Sequence, residues 1–359
     1  MSAPAEGPDV GAVWHYGDPL GEQRAALTDA VVIDRSHRGV ITIAGPDRGS
    51  WLNTISSQSV ADLADGATVQ NLSLDAQGRV EDHWIQTDLG GVAYLDTEPW
   101  RAESLLTYLT RMVFRADARP QHADFGVLSL LGPRLAERST LDALGVQALP
   151  EEMTALPLPA GGFLRRMPTD RDGPAVALEL VVQDDQITAW RGQLESAGLR
   201  PAGIWAYEAH RVAALRPRLG VDTDERTIPH EVGWIGSAVH LDKGCYRGQE
   251  TVARVHNLGR PPRMLVLTHL DGSVSRPVSG SALLADGRPV GRLGTVVDHV
   301  DLGPVALALV KRTLAAETAL TATGDDGPVS ASIDPDSVPT IDGLGAGRAA
   351  VDRLRGVTR

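Results

Sequence analysis

One cysteine carries the strongest chemical signal in this sequence. Cys245 is the only thiol among 359 residues, and it lies within Lys243-Gly244-Cys245-Tyr246-Arg247-Gly248-Gln249-Glu250. The thiolate is the nucleophilic and metal-binding form of cysteine, and cationic neighbours favour it. Because Lys243 and Arg247 lie two residues to either side, we predict that they keep Cys245 ionised. The flanking glycines allow a tight turn or the close approach of a ligand.

The segment around this thiol is basic within an acidic chain. From Lys243 to Arg263 there are five Lys or Arg residues against one acid, whereas the whole chain has a formal net charge of −12. Only two of the 34 basic residues, Lys243 and Lys311, are lysines. A lone cysteine is more often a small buried hydrophobe, but these polar, cationic neighbours form a poor wall for a dry core. We therefore expect a reactive or ligand-binding thiol where an anion docks.

A weaker candidate is the triplet Glu81-Asp82-His83, which follows a glycine turn. On a strand, alternation sends Asp82 to the face opposite Glu81 and His83. This placement predicts either an acid–base group at a cleft or an ordinary solvated strand face. The ten histidines have no spacing that makes a metal site by itself.

Composition limits the classes of function that remain. The chain is 42% hydrophobic and 22% charged, which is typical of a globular protein. Its acidity disfavours direct nucleic-acid binding along its surface. Its apolar runs are too short to span a bilayer, and residues 1–9 lack the basic start and apolar stretch of a secretory signal. We expect a cytoplasmic protein without a membrane partner.

The elements that must position these groups mix strands with helices. An alternating run at 39–44 predicts a strand, and residues 72–87 predict a strand–turn–strand unit. Apolar residues recur at helical spacing within 100–113, and similar strand and helix patterns fill 123–200. Antiparallel pairs combined with helices indicate the α+β class. After Pro261-Pro262, short apolar runs between Asp-Gly turns predict a small antiparallel β-barrel.

The octapeptide resembles the signature Lys-Gly-Cys-Tyr-x-Gly-Gln-Glu of the YgfZ family, relatives of the glycine-cleavage aminomethyltransferases. The resemblance continues through Thr251-Val252-Ala253-Arg254 and spans about residues 25–345. Further matching motifs are Gly45-Pro46-Asp47-Arg48, Trp51-Leu52, Ser57-Gln58, Gly78-Arg79 and Thr227-Ile228-Pro229-His230-Glu231. Asp34-Arg35-Ser36-His37 is similar to an Asp-Val-Ser-His stretch of the aminomethyltransferases.

This resemblance implies a three-lobed α+β ring around a central folate pocket, completed by a C-terminal antiparallel β-barrel. We expect two interwoven, folate-binding α+β lobes at 26–260 and the barrel at 261–342. The Gly- and Pro-rich residues 1–25 are interpreted as a loosely packed leader, and residues 343–359 as a mobile tail.

The resemblance also implies tetrahydrofolate, or a one-carbon derivative, as the cofactor. It implies support of iron–sulphur enzymes, including tRNA-modifying ones, with iron–sulphur carrier or client proteins as partners. The predicted working residues are Cys245, Lys243, Tyr246 and Arg247. The predicted folate-binding residues are Gly244, Gly248, Gln249, Glu250, Arg254 and His83. Because a cluster normally needs four cysteine-type ligands, Cys245 would be a transient ligand of a shared cluster, or would react with a substrate thiol or persulfide.

Two departures separate the chain from the aminomethyltransferases. Those enzymes carry an Asp-Asp pair whose second carboxylate is catalytic, whereas this chain has Asp82 and then His83. Their Arg-x-Glu-Ala-Gly segment has its glutamate where this chain has Ala213. A missing carboxylate cannot steer proton transfer at the folate amine, which argues against aminomethyl transfer. Two alternatives remain: an aminomethyltransferase with His83 as base, and a non-catalytic folate-binding scaffold.

Overall fold

The computed structural model describes residues 3–170, 172–271, 276–324 and 327–339. The α-helices are α1 (Pro19–Thr28), α2 (Arg48–Ile55), α3 (Ala102–Met112), α4 (Arg138–Leu144), α5 (Ile187–Ser196), α6 (Ile204–Ala213) and α7 (Gln249–Leu258). The first thirteen strands are β1 (Ala3–Pro4), β2 (Val13–His15), β3 (Val31–Asp34), β4 (Gly39–Ala44), β5 (Thr68–Leu74), β6 (Val80–Leu89), β7 (Val92–Thr97), β8 (Arg119–Ala123), β9 (Phe125–Leu131), β10 (Ala155–Pro157), β11 (Phe163–Met167), β12 (Ala177–Gln183) and β13 (Arg200–Ala202). The last six are β14 (Arg263–Leu270), β15 (Ala282–Ala285), β16 (Arg288–His299), β17 (Gly303–Lys311), β18 (Leu320–Gly324) and β19 (Gly327–Ile333). Across these ranges, no helix is long and apolar enough to cross a membrane.

Two mixed layers of strands and helices precede the barrel. A five-stranded antiparallel sheet has the order β5-β6-β7-β4-β8, and a six-stranded sheet has the order β10-β11-β12-β9-β3-β13. The second sheet is antiparallel except that β13 runs parallel to β3. Because β3 belongs to the second sheet and β4 to the first, the chain passes back and forth between them. The α+β prediction is confirmed.

The hairpin of β5 and β6 forms because its turn is specified locally. The Asp75 carboxylate accepts hydrogen bonds from the backbone N–H groups of Gln77 and Arg79, both at 2.8 Å. Gly78 has a φ of +76°, which a glycine adopts without steric cost. Alternation along β6 then buries Asp82 and Trp84 on one face and leaves His83 on the other.

The C-terminal strands close into a barrel in the order β14-β17-β16-β15-β18-β19. Closure leaves no strand edge unpaired, which removes a common route to aggregation. The barrel core contains Val266, Leu283, Leu293, Ala308 and Val310, all fully buried. The predicted barrel is confirmed, and its first strand begins directly after the two prolines.

The expectation of a loosely packed N-terminal segment is wrong for the part that the structure describes. Ala5 and Ala12 are buried, and α1 packs against α6. Gln23 is fully buried, its side-chain nitrogen lies 2.9 Å from the Asp298 carbonyl, and its side-chain oxygen accepts the Val300 N–H at 2.8 Å. The glycines and prolines that suggested looseness include Pro4 in β1, Gly7 and Pro8 in a 3-10 helix, and Pro19 at the start of α1. The predicted mobile tail, 343–359, lies outside the described residues.

Buried ion pairs connect these layers. The arginines in the network are Arg35, Arg38, Arg165, Arg211 and Arg218. Their acidic partners are Asp9, Asp96, Glu98, Glu179, Glu208 and Asp222. Arg165 on β11 joins Glu179 of its own sheet to Asp96 of the other sheet. Arg211 on α6 reaches Asp222 at 2.8 Å and also bonds Thr295 of β16. The network therefore ties the N-terminal segment, both sheets, α6 and the barrel together.

We expect Arg165→Met to destabilise the fold by about 3–5 kcal/mol, because removing one partner leaves buried carboxylates undercompensated. Urea unfolding of the purified protein measures the change. Arg138→Met is the matched control, since Arg138 makes an exposed ion pair with Asp142 and such pairs contribute at most about 1 kcal/mol. Equal free energies of unfolding for the two variants would show that the buried network does not contribute more to stability than an exposed ion pair.

Candidate functional site

A central cavity of about 380 Å³ lies where the two sheets, α6 and the segment before the barrel meet. Its polar wall is formed by members of the ion-pair network, and its apolar wall by Ile85, Leu131, Met167, Tyr207 and Val232. The Arg35 guanidinium lies 3.8 Å from the centroid of the Tyr207 ring. This volume and this mixture of apolar walls with fixed polar groups are typical of small-molecule sites.

His83 is the one predicted site residue that lines this cavity. Its ring stacks on Trp234 with centroids 4.7 Å apart and planes 6° from parallel. Its Nε2 lies 3.0 Å from Oε1 of Gln70. Burial, assisted by the Arg38 charge, lowers the pKa of His83 to about 4, so the ring is neutral at neutral pH. The His83 side of this strand is therefore a cavity wall rather than a solvated surface.

Asp82 points away from the cavity, as alternation requires. Its carboxylate accepts hydrogen bonds from Arg101 Nη2 at 2.6 Å and from the Ser73 hydroxyl at 2.8 Å. Three carboxylates that line the cavity, Asp96, Glu98 and Glu179, are paired with arginines, whereas burial raises the pKa of the fourth, Asp170. Burial raises the pKa of Asp96 and of Glu98, but neighbouring arginines outweigh it and hold each at about 2. These groups are fixed anions, which makes them poor general bases.

The Cys245 loop lies outside the cavity, and the octapeptide contributes none of the cavity's lining residues. Cys245 is exposed, as its polar neighbours indicated. The predicted folate contacts within and beyond the octapeptide (Gly244, Gly248, Gln249, Glu250 and Arg254) therefore do not lie on the cavity wall. The structure brings His83 to the cavity and leaves the thiol on a separate surface loop.

The glycine at the end of this loop serves packing against the hairpin. Gly248 has a φ of +83°, and a Cβ there would lie 2.6 Å from the Asp75 carbonyl oxygen and 2.9 Å from Gly78 Cα. The turn between β5 and β6 thus packs directly on the backbone where α7 begins. Gly244 differs, because a Cβ added there meets nothing within 4 Å.

Both cations beside the thiol are engaged by other groups. The Lys243 ammonium donates to the carbonyls of Asn53 and Ser56, both at 2.7 Å, and of Gln58 at 2.6 Å. Burial lowers the pKa of Lys243 to about 8. Arg247 forms an ion pair with Glu81 at 2.8 Å. Neither side chain has Cys245 as its hydrogen-bonded partner, so this geometry does not supply the paired thiolate that the sequence suggested.

The remaining octapeptide side chains mainly support the loop. Tyr246 is only 8% exposed within a hydrophobic cluster, burial raises its pKa to about 12, and within the described residues its hydroxyl has no partner. Its ring anchors the loop, and a hydroxyl so placed does not orient an external molecule. Gln249 closes the loop by donating to the Lys243 carbonyl at 3.2 Å.

The basic segment is less available to anions than its composition implied. Arg263 at the start of β14 pairs with Asp224 at 2.6 Å and with Glu231 at 2.8 Å. In the described part of the chain, Arg254 and Arg260 are the two of its five cations that are exposed and form no ion pair or hydrogen bond. No specific sequence signal marks Trp234, Gln70 or Tyr207 as cavity residues, although tryptophans at a pocket rim are one expectation.

Comparisons with known proteins agree with this architecture. Residues 263–339 match the family described as CAF17, C-terminal beta-barrel domain. An aminomethyltransferase from Streptomyces coelicolor is 28% identical over 313 residues, covering 82% of each chain. One from Symbiobacterium thermophilum is 25% identical over 323 residues, covering 82% of this chain and 80% of that one. The glycine cleavage system aminomethyltransferase T from Bartonella henselae has a TM-score of 0.81 at 19% identity, covering 96% of this chain and 95% of that one.

These similarities confirm the predicted fold. The chain has the aminomethyltransferase fold with a closed C-terminal barrel, and its sequence is similar to those of aminomethyltransferases. The activities named above are those of the relatives, and a shared fold alone does not assign an activity to this chain.

We expect Gly248→Ala to destabilise the protein by about 1–3 kcal/mol, because alanine disfavours the left-handed conformation and its Cβ would meet the hairpin backbone. Gly244→Ala is the control, and we expect a change within about 0.5 kcal/mol. Urea unfolding of both variants measures the difference. A Gly248→Ala protein as stable as the control would mean that the loop and hairpin do not need this close contact.

Proposed function

We propose that this chain is a YgfZ-type protein that binds a reduced folate in its central cavity and supports iron–sulphur proteins through Cys245. The observation that carries the folate assignment is the cavity itself, with a stacked His83–Trp234 pair on one wall. It lies on a fold shared with a glycine-cleavage aminomethyltransferase. The octapeptide around Cys245 supports the narrower family assignment.

The cavity residues suit a flat, polar heterocycle followed by an anionic tail. The parallel rings of His83 and Trp234 and the Tyr207 ring supply aromatic surface. Gln70 and the charged floor supply donors and acceptors in fixed positions. Arg216 lines the same cavity with a side chain that is 40% exposed and pairs with Asp170. We assign it to the glutamate tail of tetrahydrofolate, whose carboxylate would replace that of Asp170.

The same geometry disfavours aminomethyl transfer. A general base must be poised to accept a proton near neutral pH. His83 has a pKa of about 4, and the cavity's buried carboxylates are held by arginines. Burial raises the pKa of Asp170, the more exposed acid of the lining, but its carboxylate is engaged by the Arg216 guanidinium. We infer that folate is bound as a ligand whose carbon–nitrogen bonds this chain does not itself cleave.

Cys245 is the group that we assign to iron–sulphur chemistry. It is exposed on a loop, so a partner protein can reach it. The described residues contain no group of three or more His, Cys, Asp or Glu that could hold a metal ion. We therefore assign Cys245 as one thiolate ligand to iron in a cluster shared with a carrier protein; its proton is released as the sulphur–iron bond forms.

We expect the purified protein to bind 5-formyltetrahydrofolate in isothermal titration calorimetry. His83→Gln should weaken this binding by roughly threefold to tenfold, because the His83–Trp234 stack, worth about 0.5–1.5 kcal/mol, would no longer hold the Trp234 ring in place on the cavity wall. His122→Gln is the matched control, since His122 is exposed on β8. Equal affinities of these two variants for 5-formyltetrahydrofolate would show that the ligand does not bind in this cavity.

We expect Cys245→Ser to keep both the fold and the folate affinity, because the side chain is exposed and lies outside the cavity. The same variant should fail to restore iron–sulphur enzyme activity in a strain that lacks the chromosomal gene. Wild-type protein and Lys311→Met, expressed at the same level, serve as controls. Full restoration of iron–sulphur enzyme activity by Cys245→Ser would show that the thiol is not needed and would favour a folate-binding scaffold instead.

A further inference from the structure

The strongest feature that the proposed function does not use is the ammonium of Lys243. Its three hydrogen bonds, at 2.6–2.7 Å, go to three backbone carbonyls near the end of α2. An ammonium group has three donors, so every donor is satisfied by a fixed acceptor. The ammonium also lies 5.3 Å from the centroid of the Tyr246 ring, on the other side of Cys245 in sequence.

Two of the acceptors, the carbonyls of Asn53 and Ser56, belong to the C-terminal end of α2, and the third, of Gln58, lies in the turn that follows. The last carbonyls of a helix lack intrahelical partners and carry partial negative charge. The residue that would cap Asn53 is Ser57, but the Ser57 N–H instead donates to the carbonyl of Leu72. Lys243 therefore neutralises a helix end and satisfies the Asn53 carbonyl with one side chain.

This geometry explains why a lysine persists in a chain whose other basic residues are almost all arginine. An ammonium is a compact point charge whose three N–H groups diverge from one nitrogen, so three carbonyls can surround it. A guanidinium is a planar fork, and its donors cannot converge on three carbonyls around one point. Arginine at position 243 would therefore not reproduce these three bonds.

The clamped turn also contacts the wall of the central cavity. The Gln58 side chain donates to the Ser237 carbonyl at 3.0 Å, and the Ser57 hydroxyl donates to the Ala238 carbonyl at 2.7 Å. Ser237 lines the cavity beside Trp234. Residues 56–58 are thus bonded on one side to the cavity wall and on the other to the Cys245 loop.

We propose that Lys243 is a positioning residue: its ammonium clamps the Cys245 loop to the end of α2 and so holds the thiol at a fixed place relative to the cavity wall. This inference rests on the proposed function only in taking Cys245 as the working group. The Lys243 ammonium bonds the carbonyls at the end of α2 and makes no hydrogen bond to Cys245.

The single thiol makes a direct test possible. A methanethiosulfonate nitroxide attached to Cys245 reports the mobility of this loop alone, because no other cysteine is present. Electron paramagnetic resonance spectra are compared for the wild type, Lys243→Met, Lys243→Arg and Lys311→Met. Lys311 is the control because its exposed side chain makes one bond, to the Pro289 carbonyl.

We expect restricted, matching spectra for the wild type and Lys311→Met, and several-fold faster label motion in both Lys243 variants. Thermal unfolding checks that each labelled protein is folded. If Lys243→Met does not fold, Lys243→Arg gives the result, since it keeps the positive charge. Label motion unchanged in the folded Lys243 variants, or equally increased in Lys311→Met, would overturn the clamp.

A functional readout completes the test. Lys243→Met, or Lys243→Arg in its place, should retain 5-formyltetrahydrofolate affinity but restore iron–sulphur enzyme activity several-fold less well than Lys311→Met. Full restoration despite a mobile label would overturn the positioning role. The spectra need neither folate nor a client protein, so a failure of the proposed function remains distinguishable from a failure of the clamp.

Discussion

Buried charge must be neutralised where water does not reach, and this molecule meets that requirement with one connected set of ion pairs. Arginines from the β3–β4 loop, β11, α6 and the segment after α6 share carboxylates from both sheets. Because several of these pairs join different layers, such as Arg165 with Asp96 and Arg218 with Asp9, the layers cannot separate without exposing uncompensated ions. The same groups form the floor of the central cavity, so the interaction that holds the fold also fixes the electrostatics of the site.

This dependence shapes what the cavity can do. Acids held by two arginines cannot exchange protons near neutrality, and His83 is kept neutral by the same surroundings. The cavity is therefore built for recognition by shape, stacking and fixed dipoles. In the proposed function, chemistry that needs a mobile group is assigned to Cys245, which lies exposed on a separate loop. The clamp at Lys243 is the contact that keeps these two parts in a defined relation.

The sequence predicts most of the local secondary structure but few of the contacts between elements that lie far apart in the chain. The β5–β6 hairpin, α3, α5 and the barrel follow from periodicity and turn residues that act over a few positions. The prediction of a loosely packed N-terminal segment is wrong because its burial depends on groups much later in the chain, such as the Asp298 carbonyl of the barrel, which accepts a hydrogen bond from Gln23. The Lys243 partners are backbone carbonyls almost 190 residues away, and side-chain identity does not indicate which carbonyls a helix leaves unpaired. His83 was identified as a candidate, but its stacking partner Trp234 has no local signal.

The path of the chain between the two sheets has a consequence for synthesis on the ribosome. Strand β3 lies between β9 and β13, so a strand made near the start waits for partners at residues 125–131 and 200–202. Contacts of such long sequence separation form late, since loop closure must precede them. For much of translation the apolar residues of β3 remain unpaired and open to non-native association. The nascent chain therefore carries this apolar strand without its full set of sheet partners until residues 200–202 have been made.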